Sequence, residues 1–105
     1  MEINFEKEYL RELYEEGKTT NRKYRFQPEI VKRYQARIRT LERVQKTEDL
    51  FAFRSLNYEK LKGDKKGLES IRVNDQYRIE FKTTKVFSEN VVTICHIIEL
   101  SNHYK

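Results

Sequence analysis

One cysteine, one proline, three glycines and no tryptophan in 105 residues leave several kinds of protein out of reach. A lone thiol, Cys95, cannot form an internal disulfide, and with two histidines it cannot supply the four ligands of a structural zinc site. Gly17, Gly63 and Gly67 fall in neither P-loop nor dinucleotide-binding spacing, so no nucleotide cofactor is expected. No metal site and no cofactor are anticipated. The longest apolar runs are a few residues, far short of the ~18 that span a bilayer. Met1-Glu2-Ile3-Asn4 lacks the basic-then-apolar start of a secretory signal. A cytoplasmic protein that does not engage membranes is therefore expected.

What the chain does have is charge. Twenty-two Lys and Arg against 17 Asp and Glu give a formal net charge of +5, and charged residues make up 37% of the chain. Basic proteins of this size commonly meet polyanions. Ile, Leu, Val and Phe supply 28 of the 105 residues, above the ~20% below which a chain stays disordered. One folded domain over 1–105 is expected, because about 150 residues per domain leaves no room for a second.

The charge is unevenly distributed. Residues 1–16 hold six acids and two bases, with Phe5, Tyr9, Leu10 and Leu13 spaced as one helical face and Gly17 as a stop. A first helix over about Glu6 to Glu16 follows. Lys18 to Lys46 reverses the balance to ten bases and two acids. Here Pro28 reads as a first-turn proline, and Ile30, Val31, Tyr34, Ile38 and Leu41 mark the buried face of a second helix ending near Lys46. After Thr47-Glu48-Asp49 the apolar period falls to two. Leu68–Val73 and Tyr77–Lys82 read as strands, and Val91–Ile98 is apolar on both faces, as in a central strand. The expected architecture is α+β, with two N-terminal helices packed on a small antiparallel β-sheet. Cys95 and His96 read as mid-strand packing. Tyr24, Phe26, Phe51, Phe53 and Phe87 read as core or interface, since they lack the alternate spacing of a base-stacking platform.

Hairpin register yields the first functional inference. A two-residue turn at Asn74-Asp75 would mix apolar and charged side chains on both faces. A three-residue turn, Asn74-Asp75-Gln76, pairs Val73 with Tyr77 and Ile71 with Ile79, giving one coherent apolar face. It also sets Arg72 directly opposite Arg78. Like charges in that position cost roughly a few tenths of a kcal/mol or more, an arrangement that makes sense where an anion sits between them. The alternative is two solvated arginines leaning apart. Close by in sequence, Lys60, Lys62, Lys65 and Lys66 crowd a tight loop with Gly63 and Gly67, suited to contacting phosphates.

The stretch Leu61-Lys62-Gly63-Asp64-Lys65-Lys66-Gly67, followed by Ser70-Ile71-Arg72-Val73-Asn74-Asp75-Gln76-Tyr77-Arg78-Ile79, closely resembles the HigB toxins of the RelE/ParE superfamily. The order of acidic helix, Gly-Lys-Thr, long helix and final strand extends the resemblance over most of the chain. It implies a RelE-like toxin of a type II toxin–antitoxin system, a ribosome-dependent endoribonuclease that cleaves messenger RNA in the A site of the 30S subunit by metal-independent 2′-hydroxyl attack. The implied partners are the ribosome, mRNA and a HigA-like helix-turn-helix antitoxin, with one toxin monomer per arm of a hetero-oligomer. By the same resemblance Lys62, Arg72 and Arg78 fall on phosphate-facing positions, and His103 matches a catalytic histidine near the family's C-terminus. Tyr104 is the candidate for stacking on a base.

Two departures stand out. Relatives that end Asp-Tyr-His are replaced here by Ser101-Asn102-His103-Tyr104-Lys105, without the acid that would orient the histidine. Glu59 occupies a position where some relatives carry histidine; it could act as a base there if its pKa were raised, and the favoured reading is a counter-ion to nearby cations. Two other functions compete: a ParE-like poison of DNA gyrase, and a non-toxic basic nucleic-acid-binding module.

Overall fold

In the computed structural model, which describes residues 1–102, the chain opens with a strand. Strand β1 covers Glu2–Phe5, with Ile3 and Phe5 packed against the core and Glu2 and Asn4 turned outward. The first helix, α1, is Glu8–Glu16 and ends on Gly17 in the left-handed region at φ 76°, where a side chain would be strained. Phe5 therefore belongs to the strand and not to the helical face it appeared to extend. The second helix, α2, is Pro28–Arg43 with the proline in its first turn. Its buried residues are the five expected, Ile30, Val31, Tyr34, Ile38 and Leu41.

The helices are joined by polar contacts as well as by the core. Tyr34, fully buried, donates its hydroxyl to the Leu10 carbonyl at 2.7 Å. Gln35 donates to the carbonyls of Leu13 and Tyr14 at 3.2 Å each, satisfying acceptors that the end of α1 leaves free.

Beyond α2, 3-10 turns at Thr47–Ala52 and Arg54–Leu56 carry the buried Leu50 and Leu56 to the sheet. The remaining strands are β2 (Glu59–Lys60), β3 (Glu69–Arg72), β4 (Tyr77–Phe87) and β5 (Val91–Asn102). Their order across the sheet is β1-β5-β4-β3-β2. Pairing is antiparallel from β2 to β5, but β1 lies parallel to β5, with Ile3 opposite Cys95 and Phe5 opposite Ile97. The α+β class stands, while the sheet is mixed and not wholly antiparallel. A parallel partner some 90 residues away has no local signature in the sequence.

One irregularity shapes β5. Glu80 faces Glu99 and Phe81 faces Ile97, so Ile98 has no opposite number. This bulge lets Cys95, Ile97 and Leu100 all enter the core, although strict alternation would send Leu100 outward. Together with Ile71, Ile79 and Phe81 they form the apolar floor under the helices. Cys95 is buried as expected, whereas His96 lies on the opposite face, bonded to Asn4 and Thr84 at 3.1 and 2.9 Å. No helix among the described residues is long and apolar enough to cross a membrane.

Candidate functional site

The β3–β4 register places Ile71 against Ile79 and Arg72 against Arg78, as a three-residue turn requires. The turn is held by Asn74, whose side-chain oxygen accepts from the backbone N–H of Gln76 and Tyr77 at 2.9 and 2.7 Å, an Asx turn. Two arginines thus project from adjacent strands on the sheet face away from the helices. They are relieved of mutual repulsion by separate carboxylates. Arg72 bonds Asp75 within its own turn, while Arg78 Nη1 donates to Glu59 Oε1 at 2.8 Å.

The second of these pairs spans a strand. Glu59 lies opposite Ser70 across the β2–β3 pairing, and Arg78 comes from β4, so its guanidinium reaches over β3 to meet the carboxylate. Arg78 is 15% exposed at its side chain and Glu59 is 48% exposed. The guanidinium is therefore largely buried and the carboxylate open to solvent. Next along the same face, Glu80 sits opposite Ser70 and is paired with Lys65. Ser70 lies between the two ion pairs, fully buried, with no hydrogen-bond partner for its Oγ among the described residues.

Arg72 also borders a cleft of about 630 Å³ between the β3–β4 turn and the start of α2, lined by Arg25, Phe26, Arg33 and Tyr77 among others. Arg37 closes the arrangement from behind, donating Nε to the Arg72 carbonyl at 3.0 Å. Its burial first, and then the charges of Arg33 and Arg72, hold the Arg37 pKa below the usual arginine range. The cations of the helix-two region thus extend the Arg72 surface. Their individual roles were hidden in the sequence, because only the fold brings Arg25 and Arg33 beside Arg72.

The basic loop divides. Lys65 belongs with the arginines through Glu80. Lys62, exposed at the start of the 3-10 turn Gly63–Lys65, accepts the Lys65 N–H at its carbonyl, and its ammonium makes no hydrogen bond or ion pair among the described residues. Lys60 faces Glu69 in register, which turns it to the opposite sheet face from Glu59 and Arg78. Lys66 lines a shallow groove with Lys60 and Glu69. The expected four-lysine phosphate surface is therefore split between two faces. His103 and Tyr104 lie outside the described residues. Glu59 is a counter-ion, as anticipated, but to Arg78 and not to the neighbouring lysines.

Chemically, this face offers guanidinium groups for a phosphate and an exposed carboxylate in contact with one of them. Comparisons with known proteins place it in context. Among curated proteins no significant match is found. A solved structure described as a YoeB/ParE toxin from Agrobacterium tumefaciens superimposes over 99% of this chain and 100% of its own, with a TM-score of 0.59 at 20% identity, a likeness of fold. The family model described as the HigB RelE-like toxin of type II toxin–antitoxin systems matches residues 3–96. With nearly the whole chain covered, this protein belongs to the HigB-like family of type II toxins.

Proposed function

We propose that this toxin is an endoribonuclease that cleaves messenger RNA in the ribosomal A site, using a 2′-hydroxyl of the message as nucleophile. The observation that carries the reading is Arg72 opposite Arg78, each held by an exchangeable carboxylate, with Arg72 also bordering the cleft that holds Arg25 and Arg33. Guanidinium pairs of this kind bind a phosphodiester in two-point fashion.

In the proposed reaction the scissile phosphate displaces Glu59 from Arg78 and lies against Arg78 and Arg72, with Lys62 closing from the loop. Glu59, released from Arg78 and half-exposed beside the phosphate site, accepts the 2′-hydroxyl proton. The 2′-oxygen bonds to phosphorus, the P–O5′ bond breaks, and the leaving oxygen takes a proton that family resemblance assigns to His103. The products are a 2′,3′-cyclic phosphate and a 5′-hydroxyl. The arginines stabilise charge on the pentavalent phosphate, each supplying about 3 kcal/mol on the scale of a preorganised donor. Lys65, and Tyr104 by stacking, are assigned to RNA contacts outside the reacting atoms. The ribosome supplies the in-line alignment that these groups do not impose on free RNA.

Family membership implies an antitoxin partner. We assign it to the HigA-like helix-turn-helix class, with the toxin entering the complex as a monomer. The test is cleavage of a short message on purified ribosomes by wild type and Arg78→Ala, with antitoxin binding measured in parallel. Loss of cleavage by about 100-fold or more with antitoxin affinity retained is expected. Undiminished cleavage would remove the phosphate clamp, and growth arrest with no cut message would favour a ParE-like action on DNA gyrase.

A further inference from the structure

Past Phe81 strand β4 has no β3 neighbour, and before Ile94 strand β5 has no β1 neighbour. The segment Lys85–Phe87 with Val91–Thr93 is therefore a two-stranded ribbon projecting from the sheet, an element of marginal stability alone in water. Its helix-side residues read Lys85, Phe87, Val91 and Thr93 by register. Phe87 is 75% exposed and Val91 60%. Val86, Phe51 and Phe53 complete the set of exposed large apolar residues among those described, so exposed apolar surface is confined to this ribbon and the 3-10 turn region beside it. Such a concentration marks an interaction surface.

Charge says what kind. A cleft of about 280 Å³ between the ribbon and the 3-10 turn is lined by Lys46, Lys60, Lys85 and Phe51, with Glu48 its sole lining carboxylate. None of the three lysine ammonium groups makes a hydrogen bond or close ion pair among the described residues, and after hydrogen bonds from its own backbone N–H and from Thr47, the charges of Lys85 and Lys46 help hold the Glu48 carboxyl below the usual range. A second cleft, of about 560 Å³, shares Thr93 and continues past Val91, but its charged lining side chains are Glu2 and Glu42. The cationic part is thus confined to the first cleft, beside the apolar ribbon residues Phe87 and Val91. It opens on the sheet face opposite Arg72 and Arg78. An RNA would satisfy the lysines but gain nothing from Phe87 and Val91, whereas a protein segment with apolar and acidic side chains satisfies both.

We propose that this ribbon-and-turn surface is the docking site for the antitoxin, through a segment that presents apolar side chains to Phe87 and Val91 and carboxylates to Lys46, Lys60 and Lys85. The inference rests on family membership and not on the nuclease reading, so binding decides it whatever the toxin's target.

Two full-length variants test it: Phe87→Asp with Val91→Asp, and Lys46→Glu with Lys85→Glu. All four positions lie at or near the surface, and thermal unfolding checks that each variant folds. Calorimetric titration with the purified antitoxin encoded beside the toxin should show affinity reduced at least tenfold in both variants. Each should still arrest growth when induced alone, and the antitoxin should no longer relieve the arrest. Hydrogen exchange on the wild-type complex provides a reading that needs no variant, with protection expected at residues 85–93. Wild-type affinity in both variants, absence of that protection, or lost toxicity with antitoxin affinity intact would overturn the proposal, the last by making the surface a target contact.

Discussion

Arg78 reaches across β3 to place Nη1 2.8 Å from Glu59 Oε1, so the cation assigned to the scissile phosphate already holds a carboxylate that a phosphate must displace. If Glu59 then serves as the base, Glu59→Gln should lower the cleavage rate on ribosomes by about 100-fold or more while leaving message affinity equal or stronger, because Arg78 no longer has a competing anion. Single-turnover cleavage and a filter-binding measurement separate the two effects. An unchanged rate would reduce Glu59 to a counter-ion.

Ser70 makes a second prediction on the same face. Its hydroxyl is buried without a partner among the described residues, between the Glu59–Arg78 and Glu80–Lys65 pairs, and burying an unsatisfied hydroxyl costs about 1–3 kcal/mol. Ser70→Ala should raise stability by about 1 kcal/mol, seen as a higher urea midpoint at unchanged slope. A lower midpoint would mean that the hydroxyl has a bonding role in the fold.

Cys95 governs part of the alkaline behaviour. Burial pushes its thiol from the ordinary 9.0 up to about 12. Between those values the unfolded chain gives up its proton and the folded chain keeps it, so the unfolded state binds fewer protons and stability falls as pH rises. Below pH 9 the group contributes nothing to the slope. Cys95→Ala should therefore lose about 1 kcal/mol less than wild type between pH 8 and 10, measured by urea unfolding. The native thiol should resist a disulfide reagent at pH 8 until denaturant is added. Equal slopes and rapid native labelling would contradict the buried-thiol account.

The arginine pair was legible in the sequence because a register is over-determined: only one turn length keeps Val73, Ile71, Tyr77 and Ile79 on one face, and that choice sets Arg72 against Arg78. The apolar face of α2 was legible for the same reason, since Ile30, Tyr34, Ile38 and Leu41 repeat with the helical period. Strand β1 was not, because Phe5 fits a helical face as well as a strand and its partner lies at the other end of the chain. Nor was the bulge at Ile98, which reverses the inward parity of β5 and lets Leu100 into the core. The lysine loop misled because proximity in sequence says nothing about faces: Glu59 and Lys60 are chain neighbours, and the sheet sends them to opposite sides. Phe51 and Phe87 carry apolar side chains but remain exposed, which leaves the interface reading and removes the core one.

The nuclease account is tested most directly by a message with a single 2′-deoxy substitution on the nucleotide preceding the cleaved bond, programmed into ribosomes with wild-type toxin. Cleavage there should vanish, while the all-ribose message gives a 2′,3′-cyclic phosphate and a 5′-hydroxyl by mass spectrometry. Cutting of the deoxy message at the same bond would contradict the account.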